Sequence, residues 1–167
     1  MLRRFDGTLA LRQPSWARRV DLTLNGRGVA AVGESGALRL TRAFAVGDTV
    51  AARFGYRLRL LAHDGRELEA AQLGKQPVRA ALYCGPWLMA ADEQLDPYFF
   101  GEPWSDNVVS LPADAVPVAS RAGRVHLSLT YEHSGFRGTL PLTLRPIGET
   151  PADEQKTLAW SLNYRRG

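Results

Sequence analysis

Cysteine is nearly absent from the sequence: Cys84 is the only one in 167 residues. A single thiol excludes an internal disulfide framework and any zinc site built on cysteines. The residues around it, Leu82-Tyr83 before and Gly85-Pro86 after, point to a buried and inert thiol. Long apolar runs are missing too, and none approaches the length needed to cross a membrane. The opening Met1-Leu2-Arg3-Arg4-Phe5 has basic residues with no apolar stretch behind them, so no secretion signal is expected and the compartment stays unassigned. There is no internal repeat and no low-complexity linker. Lysine is scarce, and the net charge of +4 is carried almost wholly by arginine. Residues 1–83 hold fourteen basic and seven acidic groups, whereas 84–167 hold seven and ten. A basic half can attract phosphate, but these arginines are spaced along strands and no nucleic-acid motif accompanies them. They read as a solvated strand face, and neither a nucleic-acid nor a membrane partner is expected.

The length and the ordinary apolar content suit one domain, 1–167, with a real hydrophobic core. The most apolar stretch, residues 79–90, is interrupted only by Gly85-Pro86. Proline excludes a helix there. The pattern predicts a buried central strand over 78–84, a kink or bulge at Gly85-Pro86, and a continuation to Ala90.

Around this stretch the period is two. Val20, Leu22 and Leu24 share a face and run into Asn25-Gly26, a strong hairpin signal. Leu38 and Leu40 alternate with Arg39, and residues 49–61 read as one long strand. After His63-Asp64-Gly65 the alternation resumes. A three-residue loop, 63–65, pairs Leu60 with Leu68 and Arg59 with Glu69, keeping the apolar face whole; a slip of one residue would invert it. Gly65 then takes the left-handed position. Further strands are expected at 108–111, 116–119, 125–131 (Val125, Leu127, Leu129 and Tyr131 on one face), 139–144 around Pro141, and 157–164 with Leu158, Trp160 and Leu162 on one face. Residues 151–156 read as a polar loop or one helical turn. About ten short strands with turns between them predict an all-β fold, an antiparallel β-sandwich or jelly roll in a single domain.

Four pieces, in order, resemble a known pattern. Leu11-Arg12-Gln13-Pro14-Ser15-Trp16-Ala17 is similar to the "LRIPSWA" signature of glycoside hydrolase family 127, the β-L-arabinofuranosidase-like proteins. Asn25-Gly26 falls at that family's Asn-Gly turn. Leu40-Thr41-Arg42-Ala43-Phe44, with Gly47-Asp48-Thr49-Val50 after it, resembles its Arg-x-Trp-x-x-Gly-Asp motif. Leu82-Tyr83-Cys84-Gly85-Pro86-Trp87-Leu88 resembles its Gly-Pro strand. Gln13 in place of an aliphatic residue, Phe44 in place of tryptophan and Cys84 where a basic residue is common mark a divergent branch. The resemblance implies the C-terminal β-sandwich of such a protein. The family's zinc-bound cysteine nucleophile and glutamates lie in an (α/α)6 barrel N-terminal to that sandwich, and no such barrel is present here. The implied function is therefore a non-catalytic accessory domain that docks on and shapes a catalytic barrel. The alternative is a free-standing carbohydrate-binding, lectin-like module.

The residues themselves nominate no catalytic set, no metal site and no cofactor. The carboxylate pairs Asp92/Glu93, Glu67/Glu69 and Asp153/Glu154 read as solvated charge, since neighbours on a strand face opposite ways. His63, His126 and His133 lack metal-ligand spacing, and Ser15 lacks the strand-turn-helix setting of a nucleophile elbow. One stretch stands out. The aperiodic loop at 95–106 holds Tyr98, Phe99, Phe100 and Trp104. These rings can pack on the sandwich, dock on a partner domain or a second copy of the chain through the 95–104 loop, or stack on sugar rings.

Overall fold

A computed structural model describes residues 4–101, 103–119, 125–133, 135, 137–149 and 157–167. Contacts gather the chain into two compact units, Met1–Arg57 and Leu58–Gly167. Both are built from strands, sixteen among the described residues rather than about ten.

The first unit holds β1 (Phe5–Arg12), β2 (Ala17–Leu24), β3 (Arg27–Gly28), β4 (Val32–Glu34), β5 (Ala37–Phe44) and β6 (Val50–Tyr56). They form two three-stranded antiparallel sheets, β1-β5-β4 and β3-β2-β6. The period-two pattern sets the registers. Leu9 pairs with Leu40 and Leu11 with Leu38, while Leu22 lies opposite Ala52 and Leu24 opposite Val50. Asn25 and Gly26 both take positive φ, 50° and 76°, as the two-residue turn between β2 and β3 requires.

Two residues of the family-like motifs meet here. Asn25 Nδ2 donates to Asp48 Oδ1 at 2.8 Å, and Asn25 Oδ1 accepts the Thr49 N–H at 2.9 Å. Asp48 Oδ2 accepts the Ala45 N–H. The Asn25 amide, then the Ala45 N–H, hold the Asp48 carboxyl below its ordinary range. These motif residues clasp a hairpin turn to the β5–β6 connection, which is a structural role. Trp16 of the first motif packs its ring on Phe54, 5.5 Å between centroids.

The second unit holds β7 (Leu58–Ala62), β8 (Glu67–Leu68), β9 (Val78–Cys84), β10 (Trp87–Asp92), β11 (Val108–Leu111), β12 (Val118–Ala119), β13 (Val125–Glu132), β14 (Thr139–Pro146), β15 (Leu158–Ala159) and β16 (Ser161–Arg166). The pairings β9-β10-β14-β13-β11-β16 return to β9. The result is a closed six-stranded barrel in place of the expected jelly roll. Its strands are mixed, because β11 and β16 run parallel. Alternation separates inner from outer positions on each strand, but it carries no information on whether the outermost strands meet.

β9 is the central strand, buried as its apolar run demands and paired with β7, β16 and β10. The expected kink is corrected. Gly85-Pro86 is a two-residue hairpin turn, with Cys84 opposite Trp87 and Gly85 at φ 59°, so the chain reverses into β10 instead of continuing. Proline fits the second turn position, and glycine supplies the positive φ at the first. The β7–β8 register is the expected one, with Leu60 opposite Leu68. Ala62 N–H bonds to Arg66 O across the 63–65 loop, and Gly65 sits at φ 84°. Arg59, however, ion-pairs with Glu67 at 3.3 Å, diagonal to the expected Glu69.

Two strands are shorter than the pattern implies. Residues 49–61 break at Arg57 into β6 and β7, which belong to different sheets. Even positions face inward as far as Phe54 in β6 and again from Leu58 in β7, so the period returns in phase after the break. Trp160 interrupts 157–164 between β15, which pairs with β10, and β16, which pairs with β9. The change of partner there leaves Trp160 50% exposed rather than inward. Residues 151–156 lie outside the described residues.

Candidate functional site at the aromatic loop

The loop after β10 is pinned at both ends by polar side chains. At its start, Asp92 is fully buried: its Oδ2 pairs with Arg145 of β14 and its Oδ1 accepts the Gln94 N–H at 3.0 Å. The reading of Asp92/Glu93 as solvated charge therefore fails for Asp92, because the face of β10 away from Met89 and Ala91 meets an arginine that lies 53 residues away in the sequence. Asp96 Oδ2 accepts the Thr143 N–H at 3.0 Å. Burial pushes the Asp96 carboxyl above its ordinary range, opposed by that hydrogen bond. At the far end, the buried Asn107 donates its Nδ2 to Phe99 O at 2.7 Å, and Asn163 Nδ2 donates to Ser105 O at 2.8 Å.

Between these pins the chain forms two short 3-10 turns, Pro97–Phe100 and Trp104–Asp106. A 3-10 turn sends successive side chains in different directions, and the four aromatics part company accordingly. Phe99 is a core residue, 1% exposed. Its ring meets Tyr131 edge-on at 4.9 Å and Phe100 at 5.4 Å. Phe100 and Trp104 are partly buried against the same core, their rings 5.8 Å apart. Only Tyr98 turns outward, 80% exposed. The structure thus brings three of the rings together as packing and leaves one at the surface.

Tyr98 borders a groove of about 500 Å³ lined by Pro97, Tyr98, Gly101, His133, Gly135 and Leu140. His133 is the residue that the sequence undervalued. Its Nε2 lies 3.2 Å from Gly101 O, and its Nδ1 accepts the Gly135 N–H at 3.0 Å. Both ring nitrogens are taken by backbone, so the ring stitches two loops together and has no lone pair free for a metal. The only sequence signal was a histidine two residues before a glycine.

The remaining candidates stay apart. His63 is exposed in its turn, and His126 lies opposite Val118. Glu67 is bound to Arg59, while Glu69 accompanies the 3-10 turn that follows it. Asp153/Glu154 lie outside the described residues. Cys84 is fully buried, and desolvation pushes its thiol up to about 11, so the reactive thiolate is disfavoured. Among the described residues, no group of three or more His, Cys, Asp or Glu side chains is placed to hold a metal ion. Among the described residues, no helix is long and apolar enough to cross a membrane.

No protein-family model matches the sequence, and no curated protein matches it either. Solved structures do. A GH127 β-L-arabinofuranosidase from Geobacillus stearothermophilus T6 overlays 97% of this chain with a TM-score of 0.65 at 21% identity. The chain has the fold of one part of a family 127 glycoside hydrolase. A structure described as a glycoside hydrolase overlays 95% of the chain (TM-score 0.62, 18% identity). A second GH127 β-arabinofuranosidase overlays 96% (TM-score 0.60, 18% identity). The chain spans only 27–28% of the length of these three structures.

Proposed function

We propose that this chain is a non-catalytic accessory β-domain of a glycoside-hydrolase-type protein of family 127, docking on and shaping an (α/α)6 catalytic barrel. One observation carries the reading: the two family 127 structures overlay 96–97% of this chain, and the chain spans just over a quarter of each. The motif residues support it, since Asn25 and Asp48 clasp a turn and Trp16 packs on Phe54. Such residues keep a fold without performing chemistry. Tyr98 is the aromatic available for docking, on the catalytic partner or on a second copy of the chain.

The second reading, a carbohydrate-binding module, draws on the groove beside Tyr98. Its size falls in the range of small-ligand sites. The groove offers few polar groups, because both His133 nitrogens are engaged by backbone.

Two titrations separate the readings. One uses the barrel of a family 127 enzyme truncated to remove the matching stretch; the other uses oligosaccharides. Tyr98→Ala is expected to weaken association with the barrel by about 10- to 30-fold, the loss of roughly 2 kcal/mol typical of an interface hot spot, and to leave the melting curve unchanged. Trp104→Ala, packed on Phe100 and the core, is expected to lose about 2–3 kcal/mol of stability without a direct effect on association. Oligosaccharide binding that Tyr98→Ala abolishes, with no association to the barrel, would replace the first reading by the second.

A further inference from the structure

We propose that His133 is an acid-released latch on the groove beside Tyr98. The tautomer follows from the partners. The Gly135 N–H can only donate, so Nδ1 must keep its lone pair; the ring proton then sits on Nε2 and is donated to Gly101 O. The imidazole in this arrangement is neutral. A second proton has only Nδ1 to occupy, where it would face the Gly135 N–H with two donors opposed and no acceptor between them.

Release is therefore one-sided. Nε2–H donates to Gly101 O in either charge state, so that wall of the groove holds. The wall formed by Gly135, in the connection from β13 to β14, loses its bond when the ring is protonated. The ring also sits close to both glycines: a Cβ on Gly101 would lie 3.4 Å from His133 Nε2, and one on Gly135 would lie 3.5 Å from Nδ1. Movement of either wall thus changes the groove directly.

The charged groups on the elements meeting at the ring do not supply a substitute partner. Asp96 of the aromatic loop accepts the Thr143 N–H, and Glu132, next to His133 on β13, pairs with Arg165 of β16. Arg145 of β14 pairs with Asp92. Asp106 of the second 3-10 turn receives the Ser105 hydroxyl, and Arg137 in the β13–β14 connection is exposed. Among the described residues, no carboxylate lies on either ring nitrogen to stabilise the imidazolium. The latch stands independently of the docking reading, because its test needs no partner.

The test is NMR on the 167-residue chain. At neutral pH the ring nitrogen signals should report protonated Nε2 and unprotonated Nδ1. On acidification, exchange of the Gly135 N–H, corrected for its intrinsic pH dependence, should quicken by about fivefold, the equivalent of one ordinary hydrogen bond. Leu140 methyl signals should move in step, while the Gly101 side holds. His133→Gln, which takes up no proton, should lose this response. A proton on Nδ1 at neutral pH would overturn the proposal. So would a Gly135 N–H indifferent to protonation of the ring, or an acid response retained in the glutamine variant.

Discussion

Phe99→Ala should lower the stability of the second unit by about 3–5 kcal/mol, the usual cost of emptying a fully buried phenylalanine site. Phe99 is 1% exposed and its ring contacts those of Tyr131 and Phe100. Truncation would remove two edge-on aromatic contacts and leave a cavity against β13. The loop around it is held by Asn107 and Asn163, so it cannot easily collapse to fill the space. In a unit of this size the loss corresponds to a fall of about 10 °C or more in the melting midpoint. A thermal or urea melt of the purified variant checks it. A loss under about 1 kcal/mol would mean that the aromatic loop is not part of the core.

The second large effect concerns the pin at the start of that loop. Arg145→Met is expected to cost about 3 kcal/mol or more, because it removes the guanidinium that pairs with the fully buried Asp92 carboxylate. Asp92→Asn in the same chain should recover part of that loss, since an amide is far cheaper to bury unpaired than a charge. A double-mutant cycle on urea midpoints measures the coupling. If Arg145→Met proved harmless, or Asp92→Asn made it worse, the pair would not be the pin that the geometry describes.

These effects fall at places where sequence reasoning ran out. Period-two alternation was enough to give the all-β class, the Leu60/Leu68 register and the inward face of β13, because one buried face per strand fixes register. The Asn25-Gly26 and Gly65 turns were legible because few residues accept positive φ. Barrel closure was not legible, since it rests on pairings between strands far apart in sequence: β10 with β14, β11 with β16, and β16 with β9. Gly85-Pro86 was read as a kink because an apolar run shows no change of direction when both arms of its hairpin are buried.

At the candidate site the sequence marks the aromatic loop and does not assign its rings. In a stretch without a period, nothing indicates which of Tyr98, Phe99, Phe100 and Trp104 turns outward. The buried Asp92–Arg145 pair and the His133 contacts depend on tertiary neighbours that no spacing announces. The family-like motifs carry the functional reading, and the solved structures show the fold that those motifs imply.

The most direct measurement is turnover by the purified chain on aryl arabinofuranosides and a panel of common aryl glycosides. On the proposal that it is an accessory domain, none is expected above the uncatalysed background. Robust turnover lost on mutating Asp92, Asp96 or another carboxylate of this chain would contradict that account.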